Sequence, residues 1–307
     1  MGTGRLANLL VAGVPKAGTG SMWAYLTQHP DICGADEKEV GYFNFYNPRR
    51  HSGEPPPVES YAQHFVHCGA QRYALDATPT YSYGGKPVID AVQRILERPK
   101  IIITLRNPVD RLFSAYTFQR TLGNITGLRS FEEYLQICES RKRDGSDLVP
   151  RDHFHGLYIG YYADYVGLWL DAFGDDLRIV FVEDVSRDAH RVISGLFGWL
   201  EIDTEALSPA DLAPRNKTQH ARSSRVAQAV FALKRSTERM GLIPSRLREP
   251  LRTAYERVNA GSAPRLDPAT RRHVEDLYRE SNTETARILV AHGYGSLPDW
   301  LQDSAPA

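Results

Sequence analysis

Cysteine is scarce in this chain: three residues, Cys33, Cys68 and Cys138, among 307. They are odd in number and far apart, so neither a disulfide framework nor a zinc-ligand spacing can be drawn from them. A reducing, cytoplasmic setting is the expectation. An excess of one charge sign is lacking too, because 37 Lys and Arg balance 37 Asp and Glu. General attraction to nucleic acid is not indicated, and any anion site has to be local. Long apolar runs are missing, and nothing approaches the ~20 residues that a transmembrane segment needs. LANLLVAGV, after Arg5, has the shape of a signal-peptide core. It runs into VPKAGTGS, however, with a lysine where a cleavage site wants small neutral residues. No internal repeat is visible. The 42% hydrophobic content suits one large domain over residues 1–307 with a sizeable core.

What is present is an alternation of strand and helix patterns. LLVAGV is a short continuous apolar run, as in a strand buried on both faces. Ser21 to His29 reads as a helix stopped by Pro30. RYALDAT (72–78) is a short strand, and PVIDAVQRILE (87–97) a helix with proline at its start. KIIITLR (100–106) is the strongest strand, followed at once by a helix over PVDRLFSAYTFQR (108–120). Helices are expected over 131–142, over GYYADYVGLWLDAFG (160–174) and over 190–200, with LRIVFVED (177–184) as a third clear strand. The alternation predicts an α/β fold, a central mostly parallel sheet flanked by helices. Ligands of such sheets bind outside the carboxyl ends of the strands. VPKAGTGS, RNPVDR and EDVSRD are therefore the segments to inspect. From Arg215 to Arg257 the chain is basic, with eleven Lys and Arg against three Glu. An amphipathic helix there either caps the site or is solvated surface.

VPKAGTGSMW (14–23) looks like a phosphate loop with its lysine misplaced. The loop of ATPases and kinases reads G-x-x-x-x-G-K-[ST], with lysine after the last glycine, whereas Lys16 precedes Gly18. The segment is still an anion cradle. A loop entering a helix N-terminus presents free N–H groups and the positive end of the helix dipole. Gly18 and Gly20 permit close approach, Thr19 and Ser21 add hydroxyls, and Lys16 adds a charge at the mouth. In ITLRNPVDRLFSAY (103–116), Arg106 ends the second strong strand and Ser114 lies about two turns along the next helix. Arginine suits multidentate phosphate binding. Arg111 reads as a structural partner of the loop.

PKAGTGS followed by RNPVDRLFSAY resembles the paired signatures of the sulfotransferases that use 3′-phosphoadenosine 5′-phosphosulfate (PAPS). The motif style is that of the heparan-sulfate and bacterial carbohydrate branch. LDPATRRHVEDLYRESNTETARIL and LPDWL, near the C-terminus, resemble the family too. The resemblance implies a P-loop-NTPase-like sulfotransferase fold with PAPS as donor and PAP as product. It implies that Lys16, Ala17, Gly18, Thr19, Gly20 and Ser21 hold the 5′-phosphosulfate, and that Arg106 and Ser114 hold the 3′-phosphate. It makes Lys16 the residue that stabilises charge on the departing phosphate oxygen. EKEVGYFNF (37–45) resembles the family's K-E-x-x-[FY]-F segment, which makes Glu39 the base that deprotonates the acceptor. Some heparan enzymes carry a histidine and an aspartate near that glutamate; the positions here are Gly41 and Asn44. LDATPTYSY (75–83) resembles a segment bordering the acceptor cleft, with Asp76 either positioning substrate or simply ending a strand. In NKTQHAR (216–222), Lys217 and Arg222 fall where the family has a late loop that closes over the cofactor.

The expected activity is in-line transfer of a sulfuryl group to a hydroxyl, less readily an amine, of a carbohydrate, glycolipid or small metabolite. No metal is required, since the donor is already activated. Lys38, Arg49 and Arg50, with the basic region, favour an anionic acceptor unless they are only solvated surface. Oligomeric state is not legible. A P-loop-type nucleotide kinase is the alternative, with IVFVED as its acidic strand end, but no G-K-[ST] occurs anywhere. A non-catalytic nucleotide-binding module is a third reading.

Overall fold

The apolar run LLVAG becomes the middle strand of the molecule, β1 (Leu9–Gly13), with every residue buried. The computed structural model describes residues 4–125, 127–146, 153–208, 212, 220–221, 260–261 and 266–302. In chain order β1 is followed by α1 (Thr19–Leu26), β2 (Ile32–Gly34), α2 (Val58–Ala62), β3 (Tyr73–Asp76) and α3 (Lys86–Ile95). Then come β4 (Lys100–Leu105), α4 (Pro108–Leu122), α5 (Phe131–Asp144), α6 (Val166–Phe173), β5 (Leu177–Phe181), α7 (Val182–Arg187) and α8 (Ala189–Trp199). Two-residue strands β6 (His220–Ala221) and β7 (Ala260–Gly261) pair antiparallel. α9 (Pro268–Ala291) and α10 (Asp299–Gln302) end the described chain.

β1 to β5 form one parallel sheet in the order β2-β3-β1-β4-β5. From β1 the chain moves out to β2, returns to β3, then crosses to β4 on the other side of β1. The carboxyl ends of β1 and β4 therefore flank the point where strand order reverses, the place where such sheets take ligands. Side chains alternate along each strand. Leu10, Ala12, Ile101 and Ile103 pack on one face with Val88 of α3 and Trp169 of α6. Leu9, Val11, Ile102 and Val180 pack on the other with Met22 of α1 and Phe197 of α8. This double burial explains why the strands read as continuous apolar runs. A third cluster joins α4, α5 and α9 through Leu112, Tyr134 and Tyr278.

The structure corrects three expectations. The helix expected over 160–174 is one only from Val166; before it lie single 3₁₀ turns at Tyr158–Gly160 and Tyr162–Asp164. The aromatic residues there serve the backbone instead. Tyr162 donates to the Arg106 carbonyl (2.7 Å) and Tyr165 to that of Ile159 (2.7 Å). At Gly160 the chain runs so near Tyr278 that a Cβ would lie 2.5 Å from its hydroxyl oxygen. The strand expected over 177–184 ends at Phe181, and Glu183 and Asp184 begin α7. Finally, Cys33 and Cys68 are joined in a disulfide, with Cα atoms 5.7 Å apart, while Cys138 is buried and free. Three scattered cysteines thus did not exclude a bridge. Their 35-residue separation hides a contact made where the chain after α2 returns to the β2 edge. No helix among the described residues is long and apolar enough to cross a membrane.

Candidate active site

β1 and β4 bring their carboxyl ends together through two bonds. Val14 N–H donates to the Thr104 carbonyl (3.0 Å), and Thr104 Oγ1 donates to that of Gly13 (2.8 Å). The loop between β1 and α1 therefore starts from a fixed point beside Arg106. Gly18, at φ +79°, occupies the N-cap of α1 in the left-handed conformation. No side chain caps this helix, and its first turn carries no acid. Its leading N–H groups and dipole thus face the crevice with no protein anion to answer them. α1 begins at Thr19, two residues before the expected start, so Thr19, Gly20 and Ser21 form its first turn.

Arg106 reaches across the crevice, its Nη1 3.4 Å from the Lys16 carbonyl oxygen. α4 follows because Asn107 caps it, accepting from the N–H groups of Val109 (3.0 Å) and Asp110 (3.4 Å), and because Pro108 suits its first turn. Residues 111, 114 and 118 lie on one stripe of α4. Arg111 is fully buried and donates to the Gly156 carbonyl; Ser114 is buried. The Phe118 ring lies under the Lys16 ammonium, 4.0 Å from centroid to Nζ, which is cation–π range. Ser114 therefore sits on the helix face turned toward the β1 loop.

Burial pushes the Lys16 ammonium down to about 8, with the Arg106 guanidinium as the next cause. Glu39 opposes the shift, and Lys38 and Arg111 add to it. Lys16 thus sits among three other cations with one carboxylate acting on it. Glu39 is half exposed and accepts from Lys38 Nζ at 2.6 Å. Both Lys16 (φ 69°) and Glu39 (φ 67°) adopt left-handed backbone, as only two other non-glycine residues do among those described. The turn after Glu39 is held from behind. Gly41 N–H donates to Thr78 Oγ1 (3.1 Å) and Phe43 N–H to Tyr81 Oη (3.4 Å). Both hydroxyls donate to Asp76 (2.7 and 2.8 Å), which Tyr61 also reaches (3.0 Å). Asp76 is fully buried, and its carboxylate anchors this turn from within.

The structure thus brings Arg106 and Glu39 to the loop that carries Lys16, Ala17, Gly18, Thr19, Gly20 and Ser21, with Ser114 one turn before Phe118 on α4. Lys217 and Arg222 lie outside the described residues, as does nearly all of the basic region 215–257. Sequence reasoning did not find Phe118, whose role depends on the register of α4, or Tyr162, which fixes the Arg106 carbonyl. Glu183, at the acidic strand end that suggested a kinase, accepts from Asn107 N–H (2.8 Å) and so helps to start α4.

The family model described as "Sulfotransferase domain" matches residues 86–239, half of the chain, with Arg106 and Ser114 inside the match. The chain belongs to the sulfotransferase family. A membrane-associated sulfotransferase of Dictyostelium discoideum is 34% identical over 291 residues, covering 70% of this chain and 60% of that protein. The human bifunctional heparan sulfate N-deacetylase/N-sulfotransferase 1 is 22% identical over 97% of this chain and 31% of its own length. The chain therefore spans less than two thirds of either relative, 60% of the first and 31% of the second. Among solved structures, a sulfotransferase from Alicyclobacillus acidocaldarius superposes with TM-score 0.67 at 20% identity, covering 96% of this chain and 99% of that one. A mouse sulfotransferase complexed with PAP gives 0.51 at 16% identity, over 95% and 90% of the two chains. These likenesses show the sulfotransferase fold.

Proposed function

We propose that this sulfotransferase takes its sulfuryl group from PAPS and delivers it to a hydroxyl, less readily an amine, of a carbohydrate, glycolipid or small metabolite. The observation that carries the reading is the placement of Lys16 and Arg106 together at the uncapped N-terminus of α1; burial and the Arg106 guanidinium lower the Lys16 ammonium to about 8. A site of clustered cations and free N–H groups, with no acid in the first turn of α1, fits a polyanionic donor. Such a donor, when bound, supplies an activated sulfuryl group. The loop 16–21 binds its 5′ end, and Arg106 and Ser114 hold its 3′-phosphate. Lys16 stays protonated below about pH 8 and supplies positive charge, or a proton, to the departing oxygen. Glu39 takes the proton of the attacking acceptor, and Lys38 orients its carboxylate.

The human relative's name, a heparan sulfate N-sulfotransferase, supports a carbohydrate acceptor and keeps an amine beside the hydroxyl as the group attacked. Arg49 donates to Tyr158 Oη (3.3 Å) and Arg50 to Tyr83 Oη (3.2 Å), a basic and aromatic cluster suited to an anionic sugar. A cytoplasmic setting rests on the scarcity of cysteine, and the Cys33–Cys68 disulfide stands against it. Titration calorimetry with PAP and AMP tests the donor assignment. PAP is expected to bind at least tenfold more tightly, and equal affinities would remove the role of Arg106 and Ser114. Radiolabelled PAPS with a panel of neutral, uronic-acid and amino sugars then identifies the acceptor. PAP binding without transfer to any of them would favour the non-catalytic module.

A further inference from the structure

Cys33 ends its disulfide beside an imidazole that the bridge itself does not need. His67 Nε2 lies 3.5 Å from Cys33 Sγ and 3.8 Å from Cys68 Sγ. The Gly34 carbonyl oxygen lies 3.0 Å from the same nitrogen and 3.5 and 3.9 Å from the two sulfurs. Bonds of ~2.3 Å to sulfur and ~2.0 Å to nitrogen, at tetrahedral angles, set a sulfur and a nitrogen ligand about 3.5 Å apart. Five of the six edges between these four atoms are thus near the length that a tetrahedral zinc ion imposes. Only the sulfur–sulfur edge is not, because the two atoms are bonded. Two thiolates and an imidazole are a ligand set that zinc takes in preference to harder cations.

We propose that Cys33, His67 and Cys68 form a zinc site that exists only when the disulfide is reduced. A dithiol supplies the two electrons: its two thiols become a disulfide, and Cys33 and Cys68 become thiols. One Zn²⁺ then displaces both thiol protons and binds two thiolates, with His67 Nε2 as third ligand and the Gly34 carbonyl oxygen or a water as fourth. The sulfurs part to about 3.8 Å, again the tetrahedral edge. Rotation about Cα–Cβ achieves this with the Cα atoms at 5.7 Å. His67 is exposed and both cysteines are half-buried, so an ion has an entry path. The site sits at the start of the segment that leads to Glu39. Asp36 N–H donates to the His64 carbonyl (3.0 Å), and His64 Nδ1 pairs with Asp36 (2.7 Å). Bridge and zinc are thus two ways to fasten the same edge in oxidising and reducing surroundings.

The test uses the full chain, stripped of metal with a chelator and held either oxidised or reduced by excess dithiol without oxygen, with thiols counted in each sample. Zn²⁺ is then titrated against a chromophoric chelator. The reduced protein is expected to take one zinc per chain and the oxidised protein none. His67→Ala, at an exposed position, is expected to weaken zinc at least tenfold, and Cys68→Ser more. Cobalt in place of zinc is expected to show thiolate charge-transfer absorption and the visible bands of tetrahedral coordination. The proposal is overturned by a bridge that survives excess dithiol, by reduced protein that takes no zinc, by octahedral cobalt bands, or by His67→Ala with unchanged affinity.

Discussion

Lys16 and Glu39 share a conformation that side chains rarely adopt, and each is one residue of a short turn at the same crevice. A left-handed backbone costs a non-glycine residue about 1 kcal/mol or more. A Glu39→Gly protein relieves that strain, and the gain is offset by the extra freedom of glycine in the unfolded chain. Its stability in urea is expected to stay within about 1 kcal/mol of wild type, while turnover falls on the order of 100-fold or more. A loss of several kcal/mol would show that Glu39 is structural. Lys16 is tested by pH. Its lowered value means that the ammonium is present below about pH 8 and is lost as pH rises through it. Turnover per KM is therefore expected to fall about tenfold per unit above that pH. In Lys16→Arg the guanidinium does not titrate, so the alkaline limb disappears although the rate is lower. Lys16→Ala is expected to lose about 100-fold or more in turnover while PAP affinity changes far less. An alkaline limb that persists in the arginine variant assigns it to another group.

The turn that carries Glu39 owes its shape to β3 and to the residues just after it. Thr78 and Tyr81 each accept an N–H from residues 41–43 and donate a hydroxyl hydrogen bond to Asp76, so one buried carboxylate secures two points of the turn. Burial raises the Asp76 carboxyl, and the hydrogen bonds from Thr78, Tyr81 and Tyr61 oppose that shift. Thr78→Val breaks one tether and leaves Gly41 N–H and an Asp76 oxygen short of a partner. Stability is expected to drop by about 1–3 kcal/mol, and turnover to fall with PAP affinity unchanged, because the β1 loop is not touched. Thr78→Ser keeps both bonds and is expected to restore turnover. A fall in PAP affinity would show that the tether acts on the donor instead. Little of this was legible in the sequence. β1, β4 and α4 were, because double burial writes strands as apolar runs and because Pro108 stands where the helix pattern after β4 begins. β2 was not: ICG at a sheet edge is too short to carry a pattern. The tyrosines before Val166 have helical spacing, yet Tyr162 binds the distant Arg106 carbonyl and Tyr165 that of Ile159, which only the packed chain reveals. Lys38 beside Glu39 is visible as adjacency; Phe118 under Lys16 is visible only once α4 is placed against the β1 loop.

At the scale of the whole molecule, the segment after α9 covers an edge of the sheet. β5 is an edge strand, and Tyr294 Oη accepts the otherwise outward N–H of Ile179 at 3.0 Å. Leu301 of α10 is buried in the core with Phe181. α9 lies against the 3₁₀ turns at 158–164, where Tyr278 is fully buried and donates to the Leu157 carbonyl (2.8 Å). Those turns present Tyr162, whose hydroxyl holds the Arg106 carbonyl. A physical chain thus runs from α9 through residues 157–162 to the arginine assigned to the 3′-phosphate. Tyr278→Phe removes the hydrogen bond to Leu157 and the hydroxyl's contact with the buried Arg111 guanidinium, and is expected to cost about 1–3 kcal/mol, with PAP affinity nearly unchanged. Tyr278→Ala leaves a cavity where a ring stood and is expected to cost about 3–5 kcal/mol. It also frees the turn at Gly160 to shift, so PAP binding is expected to weaken by more than the loss of folded protein explains. Urea unfolding and PAP calorimetry on the same preparations separate the two effects. If Tyr278→Ala loses the stability while its folded fraction binds PAP as wild type does, the C-terminal helix supports the fold alone and Arg106 is held by its own strand end.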